Sequence, residues 1–151
     1  MIHFVEDQLD IDTYLGLRRA VSFKPLSRAQ AEKALKNSLY ILVAYRDGEA
    51  VGMGRVVGDG AVICYIQDLI IIPEAQGRGI GGRILEMLKE FVVRQGFPGT
   101  EMMLCLMSAR GREPFYQKHG FIARPTEDLG PGMITYLQIK GGEKLCLEEE
   151  D

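Results

Sequence analysis

The chain has 151 residues and a formal net charge of −3, which fits one ordinary domain without a dominant charge. Apolar residues make up 46% of the chain and charged residues 26%, so a sizeable core is expected and the disordered and fibrous classes are excluded. No apolar run approaches the roughly 18–20 residues that cross a membrane, and the first residues lack the basic region of a signal peptide. We therefore expect a cytoplasmic protein with no membrane partner.

Acidic residues occupy the last four positions, 148–151. We predict a single domain over 1–140 and a solvated acidic tail over 141–151. The body of the chain is then nearly neutral and carries no basic stripe, which argues against nucleic acid as a partner. Cys64, Cys105 and Cys146 lack the spacing of metal ligands, so no metal is expected. Cys64 and Cys105 lie in apolar runs and are interpreted as small core residues.

The first part of the chain predicts one short strand and two amphipathic helices. The strand covers 2–5, and helical spacing of apolar residues marks a helix over 10–21. Ser27 and Gln30 form a capping box that opens a second helix, which ends near Asn37. The positions expected to face the core are Ile11, Tyr14, Leu15, Arg18 and Val21 in the first helix and Ala31, Ala34 and Leu35 in the second.

Three strands are predicted next, over 39–45, 50–57 and 61–72. Turn-forming residues at 46–49 and 58–60 separate them, and Pro73 stops the third. Short turns between consecutive strands favour an antiparallel meander.

The remainder of the chain predicts the best amphipathic helix, over 79–95, and a buried strand over 102–107. A short helix then runs from 113 to Gly120, followed by two strands over 121–123 and 133–139. The whole order of strands and helices indicates a mixed α+β domain. The apolar face of the long helix consists of Ile80, Ile84, Leu85, Leu88, Phe91 and Val92.

The segment most informative about chemistry is the glycine-rich turn at residues 76–82 (QGRGIGG), between a strand and the long helix. Glycines let a ligand approach the backbone closely and leave consecutive N–H groups free to point at it. The positive end of the helix dipole adds to this attraction, and Arg78 and Arg83 add charge. The turn therefore predicts a phosphate or pyrophosphate site, with tight helix–strand packing as the alternative reason for the glycines.

Two common nucleotide motifs fit this turn poorly. Gly77, Gly79 and Gly82 satisfy G-x-G-x-x-G, but residues 73–76 intervene after the strand, and Glu101 begins the next strand instead of ending it. A P-loop is excluded because no Lys-Ser or Lys-Thr pair follows the glycines.

The strand end at 71–73 (IIP) and the turn at 76–81 (QGRGIG) together resemble the Q/R-x-x-G-x-G/A acetyl-CoA signature of the GNAT superfamily of N-acetyltransferases. A second segment, 115–121 (FYQKHGF), is similar to that family's F-Y-x-K-x-G-F motif. The two motifs lie in the family's order and separation, and the resemblance covers roughly 39–139. It implies the family's α+β fold, with a central mixed and mostly antiparallel sheet flanked by about four helices.

The resemblance implies acetyl-CoA as the co-substrate and transfers roles position by position. Backbone groups of Leu69, Ile70 and Ile71 would pair with the pantetheine arm as an added strand would. Tyr116 would be the general acid that protonates the departing thiolate. Many family members carry an asparagine seven residues earlier, where this chain has Ala109, so what replaces that contact is open. The implied cofactor-binding residues of the turn are Gln76, Gly77, Arg78, Gly79, Ile80, Gly81 and Gly82.

Acetyl transfer by direct attack of an amine needs a base and an acid for the leaving group, but no Ser or Cys nucleophile. Asp68 is the candidate base because burial in an apolar strand would tune a carboxylate for that work. A structural carboxylate paired with a neighbouring strand or loop is the alternative, and a water chain could then serve as base. The alternative role for Tyr116 is that of an aromatic core residue without a catalytic function. His119 is interpreted as a helix-end residue, where positive charge is favourable. Arg110 and Arg112 could contact phosphates or remain solvated.

The acceptor is the least defined part of the reaction. Segments at 23–27, 34–38 and 121–133 faintly resemble plant-type arylalkylamine (serotonin) N-acetyltransferases and their bacterial relatives, so a small primary amine, arylalkylamine or polyamine, is preferred. A protein lysine or N-terminus is the alternative acceptor, and an acetyl-CoA sensor without efficient turnover is the alternative class. Dimers are common in the family, which makes a homodimer a further expectation. Five aromatic residues could form the walls of a pocket for the acceptor amine, and each could instead be a core residue: Tyr14, Phe23, Tyr40, Tyr45 and Tyr65.

Overall fold

The structure, a computed structural model, describes residues 1–141. One sheet runs through the described part of the chain, with five strands side by side in the order of the sequence. The strands are β1 (Ile2–Glu6), β2 (Tyr40–Arg46), β3 (Glu49–Gly58), β4 (Ile63–Ile71) and β5 (Met103–Cys105). The α-helices are α1 (Ile11–Ala20), α2 (Arg28–Lys36), α3 (Ile80–Gln95) and α4 (Glu113–Lys118), and a single 3-10 turn spans Pro73–Ala75.

Strands β1 to β4 pair antiparallel, and β5 pairs parallel to β4. The parallel pair requires a crossover, which α3 supplies as it returns the chain along one face of the sheet. The α+β class and the mixed, mostly antiparallel sheet with four flanking helices are therefore confirmed.

Capping explains where the first two helices begin. The Asp10 side chain accepts a hydrogen bond from the Thr13 amide at 2.8 Å, just before α1. The predicted capping box of α2 is confirmed, because the Ser27 hydroxyl accepts from the Gln30 amide and the Gln30 side chain accepts from the Ser27 amide.

The sheet is covered by helices on both faces. Helix α3 packs Ile84, Leu85 and Leu88 against one face, as its amphipathic pattern predicts. Helices α1 and α2 cover the other face, where Tyr14 and Ala31 are fully buried. The domain therefore has two apolar layers, one on each side of the sheet.

The predicted strands at 121–123 and 133–139 are wrong for the described chain, since neither segment is a strand there. Their apolar residues suggested burial, but a strand needs a neighbouring strand to satisfy its backbone hydrogen bonds. A turn at Thr126–Leu129 and the sequence Gly130-Pro131-Gly132 separate the two segments, and neither pairs with β5 or another strand of the sheet. Large apolar side chains of 133–139 are consequently 66–91% exposed.

The predicted acidic tail covers 141–151. Only Gly141 of this segment belongs to the described part of the chain, and residues 142–151 lie outside it. Over residues 1–141, no helix has both the length and the apolarity to span a membrane.

Two glycines of β3 let α3 approach the sheet closely. A Cβ at Gly52 would lie 2.7 Å from Ile71 Cδ1 and 2.9 Å from the Ile70 carbonyl oxygen, which cannot move without displacing β4. At Gly54 a Cβ would meet the side chains of Leu88 and Ile84 at 2.7 and 2.9 Å. The glycines therefore fix the spacing between β3 and its neighbours.

We expect Gly52→Ala to lower the free energy of unfolding by about 1–3 kcal/mol, because the added methyl group overpacks the core. Gly16→Ala is the matched control, since the nearest atom to its new Cβ is 4.0 Å away and alanine favours a helix interior. It should raise the free energy of unfolding by about 0.5–1 kcal/mol. Urea denaturation measures both, and equal stabilities for the two variants would contradict the proposed tight contact.

Candidate active site

The first element of the site is a fork between β4 and β5. The two strands pair only at Ile63–Met103, Cys64–Leu104 and Tyr65–Cys105. Beyond Tyr65, β4 continues to Ile71 while β5 ends, so in the described chain no strand lies beside that edge of β4. Apart from the Ile71 carbonyl, which accepts from the Gln76 side chain, the backbone N–H and C=O groups of this edge have no strand partner and can pair with an extended ligand. The predicted residues Leu69, Ile70 and Ile71 lie on this edge, with Ile70 buried and the other two half-buried.

The glycine turn leads from the end of β4 to the start of α3. Gly77 and Gly79 have φ of 77° and 79°, a left-handed conformation that favours glycine. A Cβ built on either residue would meet nothing within 4 Å, so the turn is open to a ligand. Gly79 caps α3 with no side-chain hydrogen bond, which leaves the first helical N–H groups and the helix dipole facing outward. This geometry suits an anion such as a pyrophosphate.

The last two glycines of the turn instead serve packing. A Cβ at Gly81 would lie 3.7 Å from Phe115 Cζ, and one at Gly82 would lie 3.3 Å from His119 Nε2. Both contacts are with α4, so these glycines allow α4 to rest on the first turn of α3. The alternative reading of the glycines, tight packing, thus applies to Gly82 more than to Gly77 or Gly79.

Side chains of the predicted anion site have different surroundings. The Gln76 amide donates to the Ile71 carbonyl at 2.9 Å and its oxygen accepts from Arg112 at 3.4 Å, which ties the strand end to the start of α4. Arg78 is exposed. The Arg83 guanidinium lies over the Phe4 ring at 5.3 Å and is thus turned toward β1, at the sheet edge opposite β5. Arg112 is therefore better placed than Arg83 to add positive charge near the turn.

Tyr116 lies in α4, which the Phe115 and His119 contacts hold against α3. Its ring packs edge-on against Phe115 and Phe121, with centroids 5.1 and 5.9 Å apart. Burial raises the pKa of Tyr116, the nearby Arg112 acts against this, and the phenol of Tyr65 at the fork raises the pKa further. The hydroxyl is therefore a neutral donor at neutral pH.

His119 ends α4, which supports its interpretation as a helix-end residue. Its Nδ1 lies 2.8 Å from a Glu86 carboxylate oxygen, and its carbonyl accepts from Lys89 at 2.8 Å. The hydrogen bond from His119 lowers the pKa of Glu86, with Lys89 adding to the effect. These contacts join α4 to α3 and leave the imidazole engaged away from the fork.

Asp68 does not face the fork, and this geometry disfavours it as the base. Its carboxylate is hydrogen-bonded to the Tyr14 hydroxyl and to Arg18, and it accepts from Arg55 Nε and Nη2 at 3.3 and 3.2 Å. The side chain has no exposed surface. Three donors bond Oδ2 and one bonds Oδ1, and with no exposed surface the carboxylate is not accessible to an amine at the fork. The alternative reading, a structural carboxylate, describes these contacts.

The partners of Asp68 were not predicted as a group, although the sequence held a signal for them. Arg18 lies on the apolar stripe of α1, and Arg55 lies inside an apolar strand, as Asp68 does. Charges in apolar settings are stable only when paired, so two cations and one carboxylate in such settings indicate a common buried site.

Three other predictions concern residues around the site. Ala109, which stands where many members of the resembled family carry asparagine, is exposed, and its carbonyl accepts from the Arg112 amide at 3.0 Å to form the turn before α4. Cys64 is fully buried, as predicted, and Cys105 is half-buried. Tyr14 and Tyr40 are buried core residues, whereas Tyr65 reaches the fork.

Comparison with known proteins identifies the family. The acetyltransferase (GNAT) domain family matches residues 37–123. The protein named uncharacterized N-acetyltransferase ycf52, from Pyropia yezoensis, is 32% identical over 117 residues, which are 75% of this chain and 63% of that protein. FG08082 of Gibberella zeae is 38% identical over 58 residues, 38% of this chain and 32% of that protein. The chain therefore spans just under two thirds of the length of ycf52 and about a third of the length of FG08082.

Solved structures agree with this assignment. SA2161 of Staphylococcus aureus has a TM-score of 0.80 and 28% identity, over 91% of this chain and all of that one. The GNAT family acetyltransferase SP0256 of Streptococcus pneumoniae has a TM-score of 0.76 and 27% identity, over 92% of this chain and all of that one. Since the family match covers more than half of the sequence, the chain belongs to the GNAT family of acetyltransferases, whose members use acetyl-CoA.

Proposed function

We propose that the protein transfers the acetyl group of acetyl-CoA to a primary amine. The observation that carries the proposal is the meeting of three features: an unpaired edge of β4, an open glycine turn at the start of α3, and a neutral tyrosine from α4. Leu69, Ile70 and Ile71 would hold the pantetheine arm through their backbone. The N–H groups from Gly77 to Gly82 would hold the pyrophosphate, with Gln76, Arg78 and Ile80 in the same turn.

Acetyl-CoA supplies an activated acetyl thioester, and the chain supplies position and a proton. A neutral amine attacks the carbonyl carbon, so that a C–N bond forms as the C–S bond breaks. Tyr116 donates its proton to the departing sulfur, and water in the open fork takes the proton that the amine loses. No metal is required for this chemistry.

The surroundings favour an arylalkylamine over a polyamine as the small amine acceptor. A polyamine needs carboxylates, but Asp68 is already neutralised by Arg18 and Arg55. Aromatic surface is available, since Tyr65 is the last residue of β4 that pairs with β5 and so lies at the fork. Two alternatives remain: the acceptor is a lysine on a protein, or the protein is an acetyl-CoA sensor without turnover. A substrate screen distinguishes these alternatives from the preferred acceptor.

Acetyl-CoA binding tests the glycine turn. Gly77 and Gly99 form a matched pair, because their φ values are 77° and 78° and a Cβ on either meets nothing within 4 Å. Gly77→Asp should weaken acetyl-CoA binding at least tenfold, since its carboxylate repels the pyrophosphate. Gly99→Asp, on the loop after α3, should leave the affinity unchanged. Calorimetric titration measures both, and equal affinities, or no binding by the wild-type protein, would sink the assignment of the turn.

Turnover tests Tyr116. Tyr116→Phe should lower kcat by roughly 10²–10⁴-fold, the usual contribution of a general acid, with little change in acetyl-CoA affinity. Because burial raises the pKa of Tyr116 above its ordinary value near 10, the wild-type kcat should fall only above about pH 10, and this decrease should be absent in the variant. Tyr45→Phe, at the β1–β2 pair where Tyr45 stacks on His3, is the control and should retain activity.

A thiol-release screen over arylalkylamines, polyamines and short peptides supplies the readout for that experiment. Turnover on arylalkylamines alone supports the preferred acceptor, and turnover on peptides supports the protein acceptor. Tight acetyl-CoA binding with no turnover, together with a Tyr116→Phe variant that behaves like wild type, supports the sensor.

We propose a second copy of the chain as the partner that covers the C-terminal apolar segment (133–139). Five large apolar side chains of this segment are exposed, and β5 at the end of the sheet has a strand on one edge only within the described chain. Because one chain carries both the uncovered segment and the open strand edge, two copies related by a two-fold axis would cover both at once.

We expect a dimer of twice 16.9 kDa by light scattering at micromolar concentration. The double variant Ile134→Glu/Leu137→Glu should be a folded monomer. Val93→Glu is the control, since Val93 on α3 is 77% exposed, as Leu137 is at 79%. A wild-type protein that remains monomeric at every concentration would contradict the proposal.

A further inference from the structure

The buried carboxylate of Asp68 lies at a break in the regular pairing of β3 and β4. Arg55 pairs with Gln67 and Met53 pairs with Ile70, so Gly54 on β3 faces two residues, Asp68 and Leu69, on β4. This arrangement is a β-bulge, and Asp68 has a φ of 58°, which non-glycine residues adopt rarely.

The bulge reverses which face of the sheet the side chains of β4 occupy. Cys64 and Ile66 pack in the core under α3. Ile70 packs with Tyr14 under α1, although in an uninterrupted strand it would share the face of Ile66. Asp68 lies at the reversal and is directed toward α1 and its Arg18. The bulge also lies in the unpaired half of β4, beyond the fork with β5.

The cluster around Asp68 reaches every element on that face of the sheet. Arg18 donates through Nη2 to the carbonyl of Lys24, in the loop between α1 and α2, at 2.9 Å. Arg55 donates through Nη1 to the Ser38 hydroxyl at 3.2 Å and to the Ala34 carbonyl at 3.4 Å, at the end of α2. A single carboxylate therefore connects the two arginines to α1, α2 and the loop that joins them.

We propose that Asp68 is a positioning residue, which holds β4 in its bulged form and fixes the α1–α2 loop against the open half of the fork. The carboxylate compensates two buried guanidinium groups. Through Arg18 Nη2 and Arg55 Nη1 these groups also hold the loop and the end of α2. The compensation requires that residue 68 points to this side of the strand. The proposal rests on the function proposed above, because the fork matters to activity only if acetyl-CoA binds there. Asp68 then takes no part in proton transfer.

Two variants test this role without relying on Asp68→Asn alone, which would leave two buried arginines uncompensated and could fail to fold. Tyr14→Phe removes one hydrogen bond to the carboxylate. The double variant Asp68→Asn/Arg18→Gln removes one charge of each sign, and Asn tolerates the left-handed backbone. The cluster keeps its net charge of +1, from two arginines and one aspartate before the change and one arginine after it.

Amide hydrogen exchange is the first readout, since it needs no substrate. Exchange at 66–71 and at 22–26 should accelerate at least tenfold in the double variant and more modestly in Tyr14→Phe, with β1 and β2 unchanged as an internal control. The second readout is steady-state kinetics. In both variants KM for acetyl-CoA should rise several-fold, while kcat stays within about tenfold of wild type and its dependence on pH at the acidic side is preserved.

Unchanged exchange at 66–71 and 22–26 in the double variant would overturn the positioning role. A kcat that falls roughly 10²-fold or more, with loss of the acidic limb of its pH profile, would also overturn it, because that is the signature of a missing general base. A wild-type protein without acetyltransferase activity would count against the proposed function and not against this role, which the exchange experiment decides by itself.

Discussion

The arrangement of α1 on β3 and β4 depends on the burial of one carboxylate between two guanidinium groups. Asp68, Arg18 and Arg55 are each at most 8% exposed, so each charge depends on the others to remain inside the protein. The three residues come from the consecutive strands β3 and β4 and from α1, which lies far from both in the sequence. Their pairing therefore fixes how α1 docks on the sheet, and it does so at the point where β4 departs from regular pairing.

This constraint connects the two faces of the sheet to the fork. A regular β4 would direct alternate side chains to one face along its whole length, and its outer half would continue the pairing geometry of its inner half. The bulge at Asp68 instead gives the outer half a new orientation, so that Ile70 packs under α1 while Leu69 and Ile71 turn toward α3. The backbone edge that would bind the pantetheine arm thus belongs to the outer half of β4. The orientation of this half is set by the buried ion pairs of Asp68, on the face of the sheet that α1 covers.

Most of the fold followed from local patterns, and the exceptions have identifiable physical reasons. Amphipathic spacing, the capping box at Ser27 and the glycine turn are local signals, and α2, α3 and the meander were predicted within one or two residues. The strand β4 was predicted from its apolar run, and its buried residues alternate in the structure, but the run could not reveal that they face two different layers, because a bulge keeps the alternation while reversing the side. The segment 133–139 has the composition of a strand, yet pairing depends on a neighbour that no local pattern supplies.

The candidate site was predicted better in its backbone than in its ionisable side chains, and the reason is general. Gly77 and Gly79 predict a left-handed backbone at their own positions. A carboxylate in an apolar strand predicts only that it has a partner, and does not identify that partner. With Arg18 and Arg55 as those partners, the carboxylate nearest the fork in sequence is committed to structure. Burial raises the pKa of Tyr116, so its phenol is neutral at neutral pH, and under the proposed function it would be the proton donor while solvent would take the proton of the amine. Under the proposed function, selection among amines would then depend on the shape and aromatic surface of the opening more than on the charge of Asp68.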